Sequence, residues 1–400
     1  MRRTSRRAAL CTLASSAVAA LAGCASSLPT STDDDPRTDR ATERIDGAWQ
    51  MHGATPANTR RTTASGPETE PSIEWERSVG NRLPVDPLVL DSLVYEYAPE
   101  DRETGTLEAA TGERTTATPI DGATEFLLGS DGETSCLARD LADDRTDVEL
   151  VGRDVETTQE LWTTAAPDTM SPVPTFRNGT VYLSGFSTPW VRALDLEDGS
   201  ERWTFETVDP PSGLGVAGDV VTFTVGEHLF ALDPATGDRR WNVRFDDRFA
   251  TAPLVTDEHI VLGTGDGGLL AVDRSGDRDW RVDVGESMTA LAQDEDRLLA
   301  GTDAGIAVVD SRTEDRIAFV DTTEPVDELS VGRHRIYVTG SGSDRLTALD
   351  STDYTEAWSV SLPDVVVGGP AVLEGAIVVR VGPWGPDADD DPSERVLALG

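Results

Sequence analysis

Short apolar runs rich in aliphatic and β-branched residues punctuate this chain at even intervals. They are LVYEY at residue 93, EFLLGS at 125, TVYLSG at 180, VVTFTV at 220, HIVLGT at 259, RLLAGT at 297, RIYVTG at 335 and AIVVRV at 376. Runs of this length, bounded by Gly, Asp and Ser, read as buried strands. A second pattern follows most of them: a strand ending in Asp, a polar turn, then a Trp. It is seen in FALDPATGDRRW (residues 230–241), VRALDLEDGSERW (191–203) and LTALDSTDYTEAW (346–358). Asp154 and Trp162, Asp195 and Trp203, Asp233 and Trp241, and Asp350 and Trp358 are each eight apart, while Asp273 and Trp280 are seven apart. The turn chemistry predicts a hairpin. The Asp carboxylate accepts backbone N–H groups two or three residues on, Pro234 presets φ, and Gly199, Gly237 or Gly276 supplies a positive φ.

Two degenerate copies keep the register, with Glu108 and Thr116 in one and Asp310 and Ala318 in the other. The Trp positions then fall at 75, 116, 162, 203, 241, 280, 318 and 358, spaced by 38 to 46 residues. A period near forty with four strands per unit predicts an all-β chain, an eight-bladed β-propeller of four-stranded antiparallel blades over residues 45–400. A Trp on each outermost strand is expected to pack between neighbouring blades. The last unit stops at VLALG, residue 400, where its outermost strand should begin. SIEWERSV (Ser72–Val79) carries Trp75 without a hairpin of its own, so it is expected to complete the eighth blade and close the ring. Closure also removes open sheet edges.

Charge narrows the partners. The chain has 34 basic and 73 acidic side chains, a net charge of −39, and every basic side chain except His is Arg. Such a field repels nucleic acid and anionic headgroups. In molar salt, where the Debye length is roughly 3 Å, the self-repulsion is screened. Dense carboxylate without Lys resembles the composition of haloarchaeal proteins.

Residues 1–23 read as an address rather than fold. Arg6 and Arg7 precede the apolar run Ala8–Ala22 as a twin-arginine export signal, and the run is short for a membrane span. It ends in LAGC, a lipobox whose Cys24 would carry the lipid anchor at the outer face of the cell membrane. Cleavage there removes four Arg and no acid, taking the charge from −39 to −43. Residues 24–44, rich in Ser, Thr and Asp, read as a disordered acidic tether. Cys136 is then left without an intramolecular disulfide partner.

The ALDxxTGxxxW grammar and the entry segment WQMHGATPANTR (Trp49–Arg60) resemble the PQQ-like β-propeller repeat family. That family includes the envelope-assembly lipoprotein BamB and the quinoprotein alcohol dehydrogenases. The resemblance implies either a protein-interaction scaffold or a PQQ-dependent oxidoreductase. It also implies, for the enzymes, a vicinal Cys pair over the cofactor and calcium beside a catalytic Asp. No adjacent Cys pair occurs here. His52, His228, His259 and His334 have no ligand spacing, and no nucleophile elbow or zinc motif is present. GTGDGG (Gly263–Gly268) reads as a tight hairpin, since no helix follows to meet a phosphate. Expected, then, are no catalytic or metal residues and no resident PQQ or calcium. The acidic run 387–394 is read as a solvated loop against a calcium loop, and Asn178-Gly-Thr is a glycosylation sequon. A propeller binding a small ligand along its axis is a further alternative.

Loops joining second to third strands are short in blades four to seven and long in blades eight, one, two and three. These long loops crowd one sector of one face, which is where a partner is expected. Trp190 and Trp384 lie in them, outside the repeat positions, and are the candidate contact residues.

Overall fold

The computed structural model describes Trp49–Gly400 apart from residues 80–85, 91, 99–102, 120–123, 141–147, 156, 158, 167–169, 172, 341 and 384–393. Arg6, Arg7, Cys24, the tether and Trp384 lie outside the described residues. Glu43–Gly400 forms one compact unit.

Among the described residues every element is a strand, and every ladder within the sheets is antiparallel. Eight sheets follow one another around a ring, with strands running outward from the axis in chain order. Blade 1 holds Val89–Leu90, Leu93–Ala98, Glu103–Glu108 and Arg114–Pro119. Blade 2 holds Thr124–Ser130, Thr134–Asp140, Val148–Asp154 and Glu160–Ala165. Blade 3 holds Thr175–Arg177, Thr180–Ser184, Trp190–Asp195 and Glu201–Glu206. Blades 4 to 7 cover 212–244, 254–283, 288–321 and 328–361. Blade 8 ends with Arg395–Leu399, against which Ile73–Ser78 pairs as the outermost strand, Trp75 opposite Ala398.

Two details differ from the sequence reading. In blade 2, EFLLGS belongs to the innermost strand, and the second strand is Thr134–Asp140 around Cys136. Ser135, Arg139 and Asp140 dilute its hydrophobicity, so the apolar run one strand earlier stood in for it. The innermost strand of blade 8 is broken into Val365–Val366 and Ala371–Leu373, both paired with Ala376–Gly382. The break is Val367-Gly-Gly-Pro370, and its cause lies at the axis, as shown below.

The repeat works as a seam between blades. Asp195 Oδ1 accepts from Glu197 N, Asp233 Oδ1 from Ala235 N and Thr236 N, Asp310 Oδ1 from Arg312 N and Thr313 N, and Asp350 Oδ1 from Thr352 N. This locks the turn after each third strand. The indole of the preceding blade then lies on that turn. Trp162 Nε1 donates to Leu196 O (2.9 Å), Trp203 to Pro234 O (2.9 Å), Trp241 to Arg274 O (3.1 Å) and Trp75 to Ala109 O (2.8 Å). Trp358 donates instead to Pro67 O of the N-terminal segment (3.3 Å). Opposite each Trp on its own sheet stands Ala or Gly, and a bulge follows in nearly every case. The small residue leaves room for the ring.

Gly237 explains the glycine of the motif. Its φ is +73°, and a Cβ there would come within 2.6 Å of the Trp203 ring. The seams that lack this pairing are compensated. Glu314 occupies the equivalent position with φ +60°, and Trp280 Nε1 on that seam has no partner. Tyr354 replaces the glycine one blade on, where Ala318 replaces the Trp, and both pack on the same core. Burying one indole, about 200 Å², is worth roughly 5 kcal/mol before entropy. We therefore expect Gly237→Ala to cost about 2–4 kcal/mol through left-handed strain and overpacking. Glu314→Gly should be neutral or stabilising by up to about 1 kcal/mol. Denaturant unfolding of both variants in molar salt checks the pair.

Candidate functional site

A buried set of ionisable groups lies at the axis, and the N-terminal segment builds it. Trp49–Gly66 runs once around the ring as an inner hoop, meeting the innermost strands near their C-terminal ends. Trp49 and Val89 of blade 1 exchange backbone bonds (2.8 and 3.0 Å), and Ser130 N of blade 2 donates to Gln50 O (3.1 Å). Val216 N of blade 4 donates to Pro56 O, Val255 N of blade 5 to Ala57 O, Gln293 N of blade 6 to Thr59 O and Val331 N of blade 7 to Arg60 O. Gly66 N donates to Leu373 O of blade 8 (2.9 Å). Asn58 bridges blades 4 and 5, its Nδ2 donating to Leu214 O (2.6 Å) and Pro253 O (2.9 Å). So tight a curl needs left-handed residues, and Gly53, Ala54, Asn58 and Arg60 have φ between 52° and 77°. The hoop lies at the mouth carrying the Asp turns, opposite the loops that join second to third strands.

Beneath it sits Asp86, fully buried just before the first strand of blade 1. Its carboxylate accepts from Trp49 Nε1 (3.1 Å), Gly53 N (3.0 Å) and Gly369 N (2.8 Å), and lies 3.3 Å from Arg60 Nη2. His52 Nδ1 is also 3.3 Å away. Arg60 further reaches Glu328 (2.5 Å) and donates from Nε to Leu329 O (2.6 Å). Gly369 is why the blade 8 strand breaks: a Cβ there would lie 2.1 Å from Arg60 Nη2 and 2.9 Å from Asp86 Oδ1. Nearby, buried Arg380 pairs with Glu394.

Burial alone would raise the Asp86 carboxyl, but Arg60, His52 and the backbone donors outweigh it and hold the group far below the usual carboxylate range. Burial lowers His52, but the charge and hydrogen bonding of Asp86, with a smaller contribution from Glu328, together outweigh it, so the imidazole is raised overall. Burial raises Glu328, which Arg60 only partly offsets. Both buried guanidinium groups are thus already neutralised. Among the described residues no group of three or more His, Cys, Asp or Glu side chains is arranged to hold a metal ion. Cys136 is wholly buried in blade 2, and burial pushes its thiol up to about 12. A quinone carrying several carboxylates, with its calcium, would need free cations and carboxylates facing it. Among the described residues at this mouth, Asp86, Arg60 and Glu328 are engaged with one another and do not fit that group.

The other sequence expectations fall as follows. Trp190 opens the third strand of blade 3 and is buried, with Arg192 stacked over its ring at 4.9 Å, so it is core and not an exposed contact. Its loop is only Gly185–Pro189, and the indole turns inward beneath it. His259 Nε2 pairs with Asp279 (2.6 Å) and His228 Nδ1 meets Asn242 (3.3 Å), both on sheet surfaces. Asn178 is exposed in a tight turn, while Thr180 of the sequon is buried and accepts from Arg202 (2.6 Å). The acidic run 387–394 is described only at Glu394. His52, Arg60 and Asp86 were missed by sequence reasoning. Only the WQMHG…R resemblance pointed at the segment, and nothing in it pointed to Asp86.

Comparison with known proteins agrees with this architecture. Residues 187–322 match the family model described as "Outer membrane protein assembly factor BamB". A segment of 129 residues is 30% identical to the serine/threonine-protein kinase AfsK of Streptomyces griseus, covering 29% of this chain and only 16% of the kinase. Among solved structures, a europium-containing methanol dehydrogenase aligns with a TM-score of 0.65 at 12% identity, over 88% of this chain and 98% of that one. The quinohemoprotein alcohol dehydrogenase of Comamonas testosteroni gives 0.63 at 11%, over 92% and 82%. BamB of Moraxella catarrhalis gives 0.60 at 12%, over 82% and 99%. At such identities the structural likeness concerns the fold alone.

Removing one member of the axial cluster should be costly. Asp86→Asn is expected to destabilise by about 3–5 kcal/mol, because Arg60 is left buried with one counter-charge fewer. His52 has a raised folded pKa, so its contribution is complete below about pH 6.5 and fades as pH rises through the raised value. The melting-temperature gap between wild type and His52→Gln should therefore be wider at acid than at alkaline pH. Calorimetry across that range measures it.

Proposed function

We propose that this chain is a non-catalytic propeller that scaffolds protein partners on the extracytoplasmic side of a membrane. In this reading the Arg6 and Arg7 signal exports it, and Cys24 tethers it by lipid to the outer face, with the propeller held off the surface by residues 24–44. One observation carries the non-catalytic part. Asp86 and Arg60 are buried at the axis and paired with each other, with Glu328 and with hoop and blade backbone, so we read them as an axial lock rather than as acid, base or nucleophile. The expected sector of long loops is not what carries this: the loop of blade 3 spans only 185–189, no longer than 340–344 in blade 7, and the stretch read as a long loop in blade 2 holds the strand Thr134–Asp140. Rigid blades that display loops still leave binding as the natural use of the fold. The family description of an outer-membrane assembly factor supports an envelope role of the same kind. The charge of −39 argues against nucleic acid as the partner.

The competing reading is a quinone-dependent oxidoreductase, and it is separable cheaply. Mature protein mixed with PQQ and calcium should bind no chromophore and oxidise no alcohol in a dye-linked assay; turnover above the protein-free rate would overturn the proposal. Cys24→Ser should move the protein from the detergent phase of a membrane extraction to the medium, with no change in its melting temperature. Retention in the detergent phase would remove the lipid anchor from the picture.

A further inference from the structure

We propose that one corner of the loop face, formed by Phe186 and Val208 of blade 3, docks a partner segment in which an apolar side chain is flanked by Arg or Lys; this deepens the scaffold reading and rests on it. Among the described residues five large apolar side chains are exposed. Ile73, Leu161 and Ile317 stand singly on the outermost strands of blades 8, 2 and 6. Phe186 and Val208 are the most exposed of the five, at 73% and 85%, and they share one blade and one end of it.

Their backbones hold them together. Phe186 is in the loop between the second and third strands, and Val208 is in the connection leaving the outermost strand. Thr207 N donates to Pro189 O (2.8 Å), joining the two segments, and Trp190 is register partner to Glu206. The loop is braced from within: Gly185 N donates to Trp190 O (3.0 Å) and Trp190 N to Thr188 O (3.1 Å). A Cβ on Gly185 would meet Thr188 O at 2.1 Å, so the loop closes only around glycine. Thr207 Oγ1 donates to Asp209 O (2.8 Å) and orders the second segment. The Trp190 indole itself is buried in the core between blades 2 and 3, so the loop is anchored at its end. Two apolar side chains on braced loops lose little freedom on binding.

Charge selects the partner. The ionisable residues of segments 185–190 and 206–211 are Glu206 and Asp209, both exposed. An apolar centre with a carboxylate rim on a chain of net charge −39 disfavours a second copy of itself and an anionic lipid surface. It fits an apolar side chain with basic neighbours. In molar salt the Debye length is roughly 3 Å, so the rim steers only at contact, and burial of Phe186 and Val208 supplies the affinity.

The test uses the mature full-length chain and labelled synthetic peptides with a Leu-Phe core, flanked by Arg in one and by Glu in its twin, read by fluorescence anisotropy in molar KCl. Wild type should bind the Arg peptide in preference to the Glu peptide. Phe186→Ser with Val208→Ser should weaken that binding by about tenfold to a hundredfold. Ile317→Ser, at an exposed apolar site on the outermost strand of blade 6, should leave it unchanged. Equal binding by the double variant, equal binding of both peptides, or binding of neither overturns the corner. So does adsorption to phosphatidylglycerol vesicles that the double variant loses. Crosslinked capture from native membranes separates the two levels: capture retained by the double variant removes the corner but keeps the scaffold, whereas no capture by wild type removes the scaffold.

Discussion

An indole resting on its neighbour's turn holds this ring together. Each blade alone has two faces and can bury neither against itself, so stability comes from what fills the wedge between sheets. Here the filler is a Trp on the outermost strand, seated on a turn pinned by an Asp carboxylate and opened by a glycine. Sequence variation respects that geometry. Where the glycine becomes Tyr354 the opposing position is Ala318, and where it becomes Glu314 the Trp280 Nε1 goes without a partner. The same seam closes the circle, since Trp75 pairs with blade 8 and donates to blade 1.

The axis is held by a different principle. A hoop of backbone amides and carbonyls ties seven of the eight blades to one segment, and a buried ion cluster fixes where that segment sits. Burying charge is expensive even when paired, so the cluster is weak evidence for stability as such. Its use is positional. Asp86 accepts from the hoop at Trp49 and Gly53 and from blade 8 at Gly369, which sets the hoop's rotation relative to the ring and requires the strand break in blade 8. The two ends of the axis are therefore unlike, one under the hoop and the other framed by loops.

That asymmetry shapes what the molecule can do. At the axis Asp86 and Arg60 are buried and engaged with each other, which suits a structural lock, while His52 and Glu328 keep part of their side chains in solvent. The corner proposed for recognition rests on Phe186 and Val208 of blade 3, the two most exposed large apolar side chains among the described residues. The acidic exterior keeps such a chain apart from its own copies and from polyanions, and molar salt softens that repulsion without removing apolar contacts.

Periodicity carried the ring, because a strand, a pinned turn and a wedge residue are local features that a forty-residue copy contains whole. The number of blades, the Trp75 clasp and the identity of the seam residues were legible on that ground. The strand assignment in blade 2 was not, because Arg139 and Asp140 hide its second strand from a hydrophobic pattern. Nor was the inward turn of Trp190, since a Trp outside the repeat looks the same in sequence whether its loop folds over it or not. The hoop and the Asp86 cluster belong wholly to tertiary structure. Their bonds join residues from 26 positions apart (Arg60 and Asp86) to 307 apart (Gly66 and Leu373), many through backbone groups that every residue type carries, so no pattern of side chains along the chain announces them.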